Sequence, residues 1–447
     1  MQFMIKSISK KDLIWGYLAQ FLNIGSGVII IPVAIIYLTT EDMGFWYLFI
    51  AIAGLAQLLE FGFQPTISRM VSYVYSGAKE LIPEGIPETG KEINYQLLYD
   101  LVSASKNIYR YVSIAVAVLL LSVGTYYLNS FEEFKQEQLV AWLVFSLSTI
   151  INFYFTYLNG LIIGKGKQSV LYRITALSKL LMLLVSVPLL VLNYGLMSMA
   201  VGTFTSLLVT RFLLYKYLNN EKEQDVKKLS SIKKEKTSQT KIVWLSAWKL
   251  GGTSIGAFLI LRANQFITSS YLGLSVAASY GLTIQIIGIL SSVSAMYFTL
   301  SLPKINSLQS LKDKMKIKSI VKKSFLIVAL LYVFGAFGLV YIGVPLLDYM
   351  STNTELVPKN ILLLMLFMYG LELNHSMSAT YLTTLNKVPF LYASLISGIF
   401  IVFVSLLVVN ISTLGLVGVV FSQFTIQLLY NNWYWPLQVL KDLRNDK

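Results

Sequence analysis

The chain contains no cysteine and a single histidine, His375. The first absence excludes disulfides, thiol catalysis and cysteine-held metals. The second excludes a histidine-based metal cluster. Charge is also scarce. Asp, Glu, Lys and Arg make up 13% of 447 residues, about half the ~25% usual in soluble proteins. Apolar types reach 55%, and mean hydropathy is +0.65. Such a chain is neither a soluble globular protein nor a disordered one. Its solvent is mostly lipid.

A hydrocarbon core is crossed by about 20 apolar residues of helix. Twelve stretches qualify: 13–38, 45–68, 111–128, 139–162, 169–193, 196–218, 243–270, 275–299, 324–349, 358–381, 389–409 and 412–436. The first follows Lys10, Lys11 and Asp12, but is too long for a signal peptide and lacks a small-residue cleavage site, so a retained helix is expected. Of the 36 basic residues, 28 fall in the tails and in every second loop, and only Lys135 and Lys359 in the alternate loops. Basic loops stay inside, so both termini are expected in the cytoplasm. The outer side carries Glu41, Asp42, Glu132 and Glu133 instead. Its longest connection, 129–138, cannot fold as a domain.

The stretch 219–242 is charged and has almost no apolar pattern. It reads as a basic cytoplasmic linker between six-helix lobes, 1–218 and 243–447. The lobes share a faint likeness: Ile24-Gly25 with Tyr37-Leu38, against Ile255-Gly256 with Tyr271-Leu272. The loop NGLIIGKGKQ (Asn159–Gln168) is no P-loop. Five residues separate Gly160 from Gly166, and Gln168 follows Lys167, where the motif needs four and a Ser or Thr. The sequon Asn410-Ile411-Ser412 lies at a membrane edge and reads as chance. The basic runs 227–241 and 312–323 suit lipid headgroups better than nucleic acid, which is not expected as a partner.

Charges inside a membrane are costly and default to functional candidates. Six cations, Arg69, Arg173, Lys179, Arg211, Lys249 and Arg262, face two acids, Glu60 and Glu372. Arg69 sits at a helix end, among headgroups. Arg173, Arg211 and Lys249 lie within about two turns of the cytoplasmic side, where snorkelling and cavity lining are both open. Lys179 is near the midplane and Arg262 deep in the outer half, which favours cavity lining. Lys249 and Arg262 can face one lumen only if the cavity is wide or their helix bends, for which Gly251-Gly252 is the candidate. Gln57, Glu60 and Gln64 share a face of the second helix, which Pro65 is then expected to interrupt. Gly16, Gln20, Asn23 and Gly27 form a similar stripe on the first, before Pro32. Small and polar residues of this kind also serve helix packing. Glu372, His375 and Ser376 share a face of the tenth helix, as a proton-coupling pair or a satisfied structural one. No catalytic constellation emerges, and no enzyme activity is expected.

MGFWYLFIAIAGLAQLLEFGFQPTISRMVS (Met43–Ser72) resembles the second-helix signature of polysaccharide exporters: an outer Gly-aromatic pair, an acid before Phe-Gly, then a cytoplasmic Arg. TYLNGLIIGKGKQSVLYRI (Thr156–Ile174) resembles their fourth-to-fifth helix turn. WKLGGTSIGAFLILRANQFITSSYLG and AASYGLTIQI resemble helices seven and eight of O-antigen flippases. The likeness covers most of the chain. The family's helix-two acid is often Asp, and here is Glu60. It implies the multidrug/oligosaccharidyl-lipid/polysaccharide (MOP) exporter superfamily and, within it, Wzx-type flippases. The implied fold is all-α, with twelve transmembrane helices in two six-helix lobes around a central cationic cavity. The implied activity is flipping of undecaprenyl-pyrophosphate-linked oligosaccharide, O-antigen or a related repeat unit, across the bacterial inner membrane, as in lipopolysaccharide biosynthesis. Lys179, Arg211 and Arg262 carry over as cavity cations, joined by Arg173 and Lys249. Asn23, Gln57, Glu60, Glu372 and His375 are the polar or coupling candidates. No cofactor is implied, with ion or proton coupling left open. The lipid-linked saccharide, membrane lipids and other polysaccharide-assembly membrane proteins are the expected partners. A lipid II flippase, or a multidrug extruder of the same superfamily, is the alternative. The excess of cations weighs against an extruder of organic cations, and the short outer loops against a polymerase or glycosyltransferase.

Overall fold

A computed structural model describes residues 26–27, 29–82, 87–88, 90, 92–219, 239–310, 313–350, 352–385 and 389–444, without the side chains of 246, 248–250, 303, 306–307 and 310. Among the described residues every regular element is helical. Eight helices are long and apolar enough to cross a membrane, or nine if the bent pair Gln136–Tyr154 and Tyr157–Gly164 is one span. The other three expected stretches end differently. Most of the first, with Gly16, Gln20 and Asn23, lies outside the described residues, as do 220–238 of the expected linker. The seventh is divided into Thr240–Leu261 and Ala263–Leu272, the twelfth into Gly415–Leu429 and Asn431–Arg444.

The chain packs as two compact units. Unit one takes the described residues within Met1–Val33 and Ile52–Ser254, and unit two Ala34–Ala51 and Ile255–Lys447. Within each, small and hydroxyl residues solve the problem of polar atoms in an apolar medium. Ser105, Thr149, Ser178 and Ser422 each donate to the carbonyl one turn back, at 2.7–2.9 Å. Asn94 and Asp313 begin helices by accepting from the backbone N–H three residues on, at 3.0 and 3.1 Å.

Breaks do not fall where proline places them. The second helix runs Thr40–Gln57, tightens over Leu58–Glu60 and breaks at Phe61 and Gly62, both left-handed at φ 50° and 73°. Gly62 adopts that conformation freely, whereas Phe61 needs support. Trp244 supplies it by stacking on the Phe61 ring, with centroids 5.7 Å apart. Pro65 falls in the first turn of Phe63–Tyr75, where its missing N–H costs nothing. Gly251 and Gly252 lie inside the continuous helix Thr240–Leu261, and the break comes at Arg262. Gly251 serves packing: a Cβ there would run into the Phe61 ring.

The glycines of the rejected P-loop also pack. Gly160 and Gly164 are one turn apart and face Ile67 and Val71 of Phe63–Tyr75. A Cβ on Gly164 would lie 2.5 Å from that of Val71 and 2.6 Å from the Ser68 carbonyl oxygen. This is the close backbone approach that a small-xxx-small pair permits in membranes. Gly164→Leu is expected to destabilise the protein by about 1–3 kcal/mol, the usual overpacking range. Thermal unfolding in detergent reads this directly, and an unchanged midpoint would mean the two helices part at no cost.

Two helices carry a wide π turn. In unit one it spans Leu119–Gly124 after 24 residues of α-helix, and in unit two Leu339–Gly343 after 25. The Trp142 indole packs against the first at Gly124 and donates to Thr125 Oγ1 at 3.0 Å.

Candidate functional site

In unit one the break at Phe61–Gly62 leaves the N–H groups of a new helix unpaired. Glu60 is positioned to take one. Its Oε1 accepts from the Gln64 backbone N–H at 3.2 Å and from the Tyr109 hydroxyl at 2.9 Å, while the Gln57 amide donates to Oε2. A carboxylate at a helix N-terminus is also favoured by the helix dipole. Gln57 and Glu60, expected on one helix face, are hydrogen-bonded to each other. Gln64 joins through its backbone N–H.

Arg211 is buried in the same unit. The fourth helix bends by 41° between Tyr154 and Tyr157, which frees backbone acceptors. The Arg211 guanidinium reaches Asn152 Oδ1 from Nε at 3.1 Å and also from Nη2. It reaches Asn159 Oδ1 at 2.9 Å, the Phe155 carbonyl at 3.3 Å and Thr156 Oγ1 at 3.5 Å. All five N–H donors of the fork are engaged. The partners are neutral, and the cation lies within electrostatic range of the Tyr109 and Tyr157 hydroxyls. Arg211 therefore holds the bent helix as a staple.

Unit two contains a longer network. Glu372 and His375 are one turn apart on Lys359–Thr383, with His375 Nδ1 3.2 Å from Glu372 Oε1. Gln427 donates to Glu372 Oε2 at 2.7 Å. Asn431, just past the break at Tyr430, donates to Gln427 Oε1 at 2.7 Å and Ser397 Oγ at 2.8 Å, and accepts from the Trp435 indole at 3.0 Å. One turn before Gln427, Gln423 accepts from Asn264 at 3.0 Å. Asn264 also lies beside the Tyr280 hydroxyl, and Gln423 beside that of Tyr369. Asn264 Oδ1 and Tyr369 Oη are buried and complete no hydrogen bond among the described residues. Arg262, at the break before Ala263, stands exposed within electrostatic range of Tyr280 and Tyr369. Ser376 is exposed.

The remaining candidates are scattered. Lys179 is the twelfth of 24 residues in Gln168–Val191, half-buried, and makes no hydrogen bond or ion pair with a described residue. Arg173 is exposed on the same helix. Lys249 lies in Thr240–Leu261, with its side chain outside the described residues, as is Asn23.

The fold has counterparts among solved structures of transporters. A MATE multidrug transporter, DinF-BH, matches at a TM-score of 0.66 and 14% identity, over 99% of this chain and 96% of that one. The inward-facing conformation of a MATE-family transporter of the MOP superfamily matches at 0.63 and 14%, over 96% of both chains. The lipid II flippase MurJ, inward closed, matches at 0.62 and 13%, over 97% and 88%. The chain shares its fold with these solved transporters. No sequence-family profile matches it, and no curated protein matches by sequence.

Within that fold the side chains that complete both networks went unread in the sequence. Asn152 and Asn159 are spaced i, i+7, and Gln423, Gln427 and Asn431 i, i+4, i+8, each a polar stripe inside an apolar stretch. That pattern was available. Tyr109 carried no such signal among 28 tyrosines.

Proposed function

We propose that the chain is a flippase moving undecaprenyl-pyrophosphate-linked oligosaccharide, an O-antigen or related repeat unit, across the bacterial inner membrane by alternating access, with both termini in the cytoplasm. The observation that carries this reading is Lys179, a half-buried cation at mid-helix without a carboxylate partner among the described residues. Holding an ammonium there is costly unless an anion visits. A pyrophosphate brings about two negative charges, and charge-assisted hydrogen bonds to phosphate are strong. Arg262 supplies a second cation, exposed and backed by tyrosines. Glu372 and His375 are the proton- or ion-coupling pair. Similarity in fold to the lipid II flippase MurJ supports a polyprenyl-linked cargo, and similarity to MATE transporters keeps a multidrug extruder as the second reading.

The test uses cells whose surface polysaccharide depends on this chain. The Lys179→Ala/Arg262→Ala double variant is expected to lower surface polysaccharide at least about tenfold, since each unit then loses a cation able to meet phosphate during transport. The lipid-linked intermediate should accumulate in the inner leaflet. Arg262→Lys should restore export partly if bidentate contact matters, and fully if charge alone does. Wild-type polysaccharide in the double variant would refute the reading, and drug sensitivity in its place would favour the extruder.

A further inference from the structure

Residues 34–51, the ends of the first two helices on the side that the loop cations assign to the outside, pack in unit two. The first helix ends at Tyr37, and the carbonyls at such an end have no partner within the helix. Asn353 takes three of them. Its backbone N–H donates to the Ile35 carbonyl at 2.9 Å, and its side-chain amide to those of Ile36 at 2.9 Å and Leu38 at 3.0 Å. The Thr40 hydroxyl donates back to the Asn353 carbonyl. Four residues on, the Val357 N–H donates to Thr283 Oγ1 at 3.1 Å, which ties this strap to the helix Leu274–Ser310. The second helix meets the same helix at glycines. A Cβ on Gly44 would lie 2.8 Å from the Leu274 carbonyl oxygen, and one on Gly281 would run into the Tyr47 ring. Tyr47 also donates to Gln285 Oε1 at 2.8 Å. Leu274, Ala278, Gly281 and Gln285 share one helix face, and Ala278 is fully buried there.

These contacts are of a kind that can part. Asn353 is exposed, so water can replace its amide at each carbonyl, and the net gain per bond is small. At Gly44 and Gly281 one side of each contact is bare backbone, with no side chain to withdraw. We propose that Asn353 latches an outer gate, and that its release lets the ends of the first two helices leave Leu274–Ser310. This is the opening that alternating access requires on that side, and the inference rests on that part of the reading above.

The chain has no cysteine, so a single introduced thiol is read without background. Ala278→Cys is made in the full chain, purified in detergent and labelled with a polar maleimide. With Asn353 in place, labelling should be slow. Adding Asn353→Ala, which removes two side-chain hydrogen bonds, should speed it about tenfold. Asn353→Asp keeps the shape but cannot donate to carbonyls, and should speed it at least as much. Ser405→Cys, buried on another helix of unit two, reports general loosening and should keep its rate in both backgrounds. If Asn353→Ala does not fold, Tyr47→Phe, which removes one bond, should still speed labelling at position 278 about threefold. An unchanged rate at position 278, or an equal rise at 278 and 405, overturns the gate and leaves Asn353 a helix cap. The labelling needs no cargo. A rise at 278 alone, beside normal polysaccharide in the Lys179→Ala/Arg262→Ala variant, would uphold the gate while the proposed cargo fell.

Discussion

Glu372→Gln is expected to leave the protein folded and in the membrane while abolishing transport. Glutamine has nearly the same shape, and its carbonyl oxygen can still accept from Gln427, so the packing around positions 372, 375 and 427 survives. What it lacks is a carboxylate able to take up and release a proton or to hold a cation beside His375. Under the proposed coupling that loss stops the cycle, and surface polysaccharide falls to the level of cells lacking the chain. Protein abundance in the membrane is measured in parallel, because a folding defect would lower both. Normal polysaccharide at normal abundance would make Glu372 and His375 a structural pair. His375→Ala should be milder, since the acid keeps its contact with Gln427.

Arg211→Ala should have the largest effect on stability, a loss of several kcal/mol, because it leaves several neutral acceptors of the bent helix without their donors. The truncation strips the bent fourth helix of every donor that now serves Asn152, Phe155, Thr156 and Asn159. Each buried acceptor left unpaired costs about 1–3 kcal/mol. Arg211→Lys should recover only part, because one ammonium cannot span the bend as a planar fork does. Thermal unfolding in detergent tests both variants. An alanine variant melting with wild type would mean that the bend holds itself.

The sequence marks charges within apolar helices as exceptional, but it cannot tell a staple from a site. Arg211 was legible as a costly cation in an apolar helix. That its donors are consumed by the neighbouring helix depends on a bend that no residue type announces, since Tyr154 to Tyr157 contains neither Pro nor Gly. Glu60 likewise read as one of three residues on a face. The break at Phe61–Gly62 turned it into an acceptor at the start of a helix. Proline misled in the same region, because Pro65 suits a first turn as well as it suits an interruption. Apolar stretches were read well where one helix fills them, as in Gln168–Val191, Leu196–Leu218 and Leu391–Ile411. They were read less well where two helices share one stretch, because hydropathy averages over a break without registering it.

The π turns at Leu119–Gly124 and Leu339–Gly343 alter how their helices are to be numbered by face. An α-helix turns its side chains by about 100° per residue. A π turn bonds each residue to the fifth along, and so takes in one residue more than an α turn does. Everything beyond it is rotated by roughly one residue's worth of angle relative to an uninterrupted helix. Positions spaced three, four or seven apart across the turn therefore look in different directions. A labelling scan along 95–128 or 314–349 would keep its 3.6-residue rhythm on both sides of the turn but return out of phase after it. Heptad arithmetic carried through the turn would then assign Tyr126 and Leu346 to the wrong side of their helices.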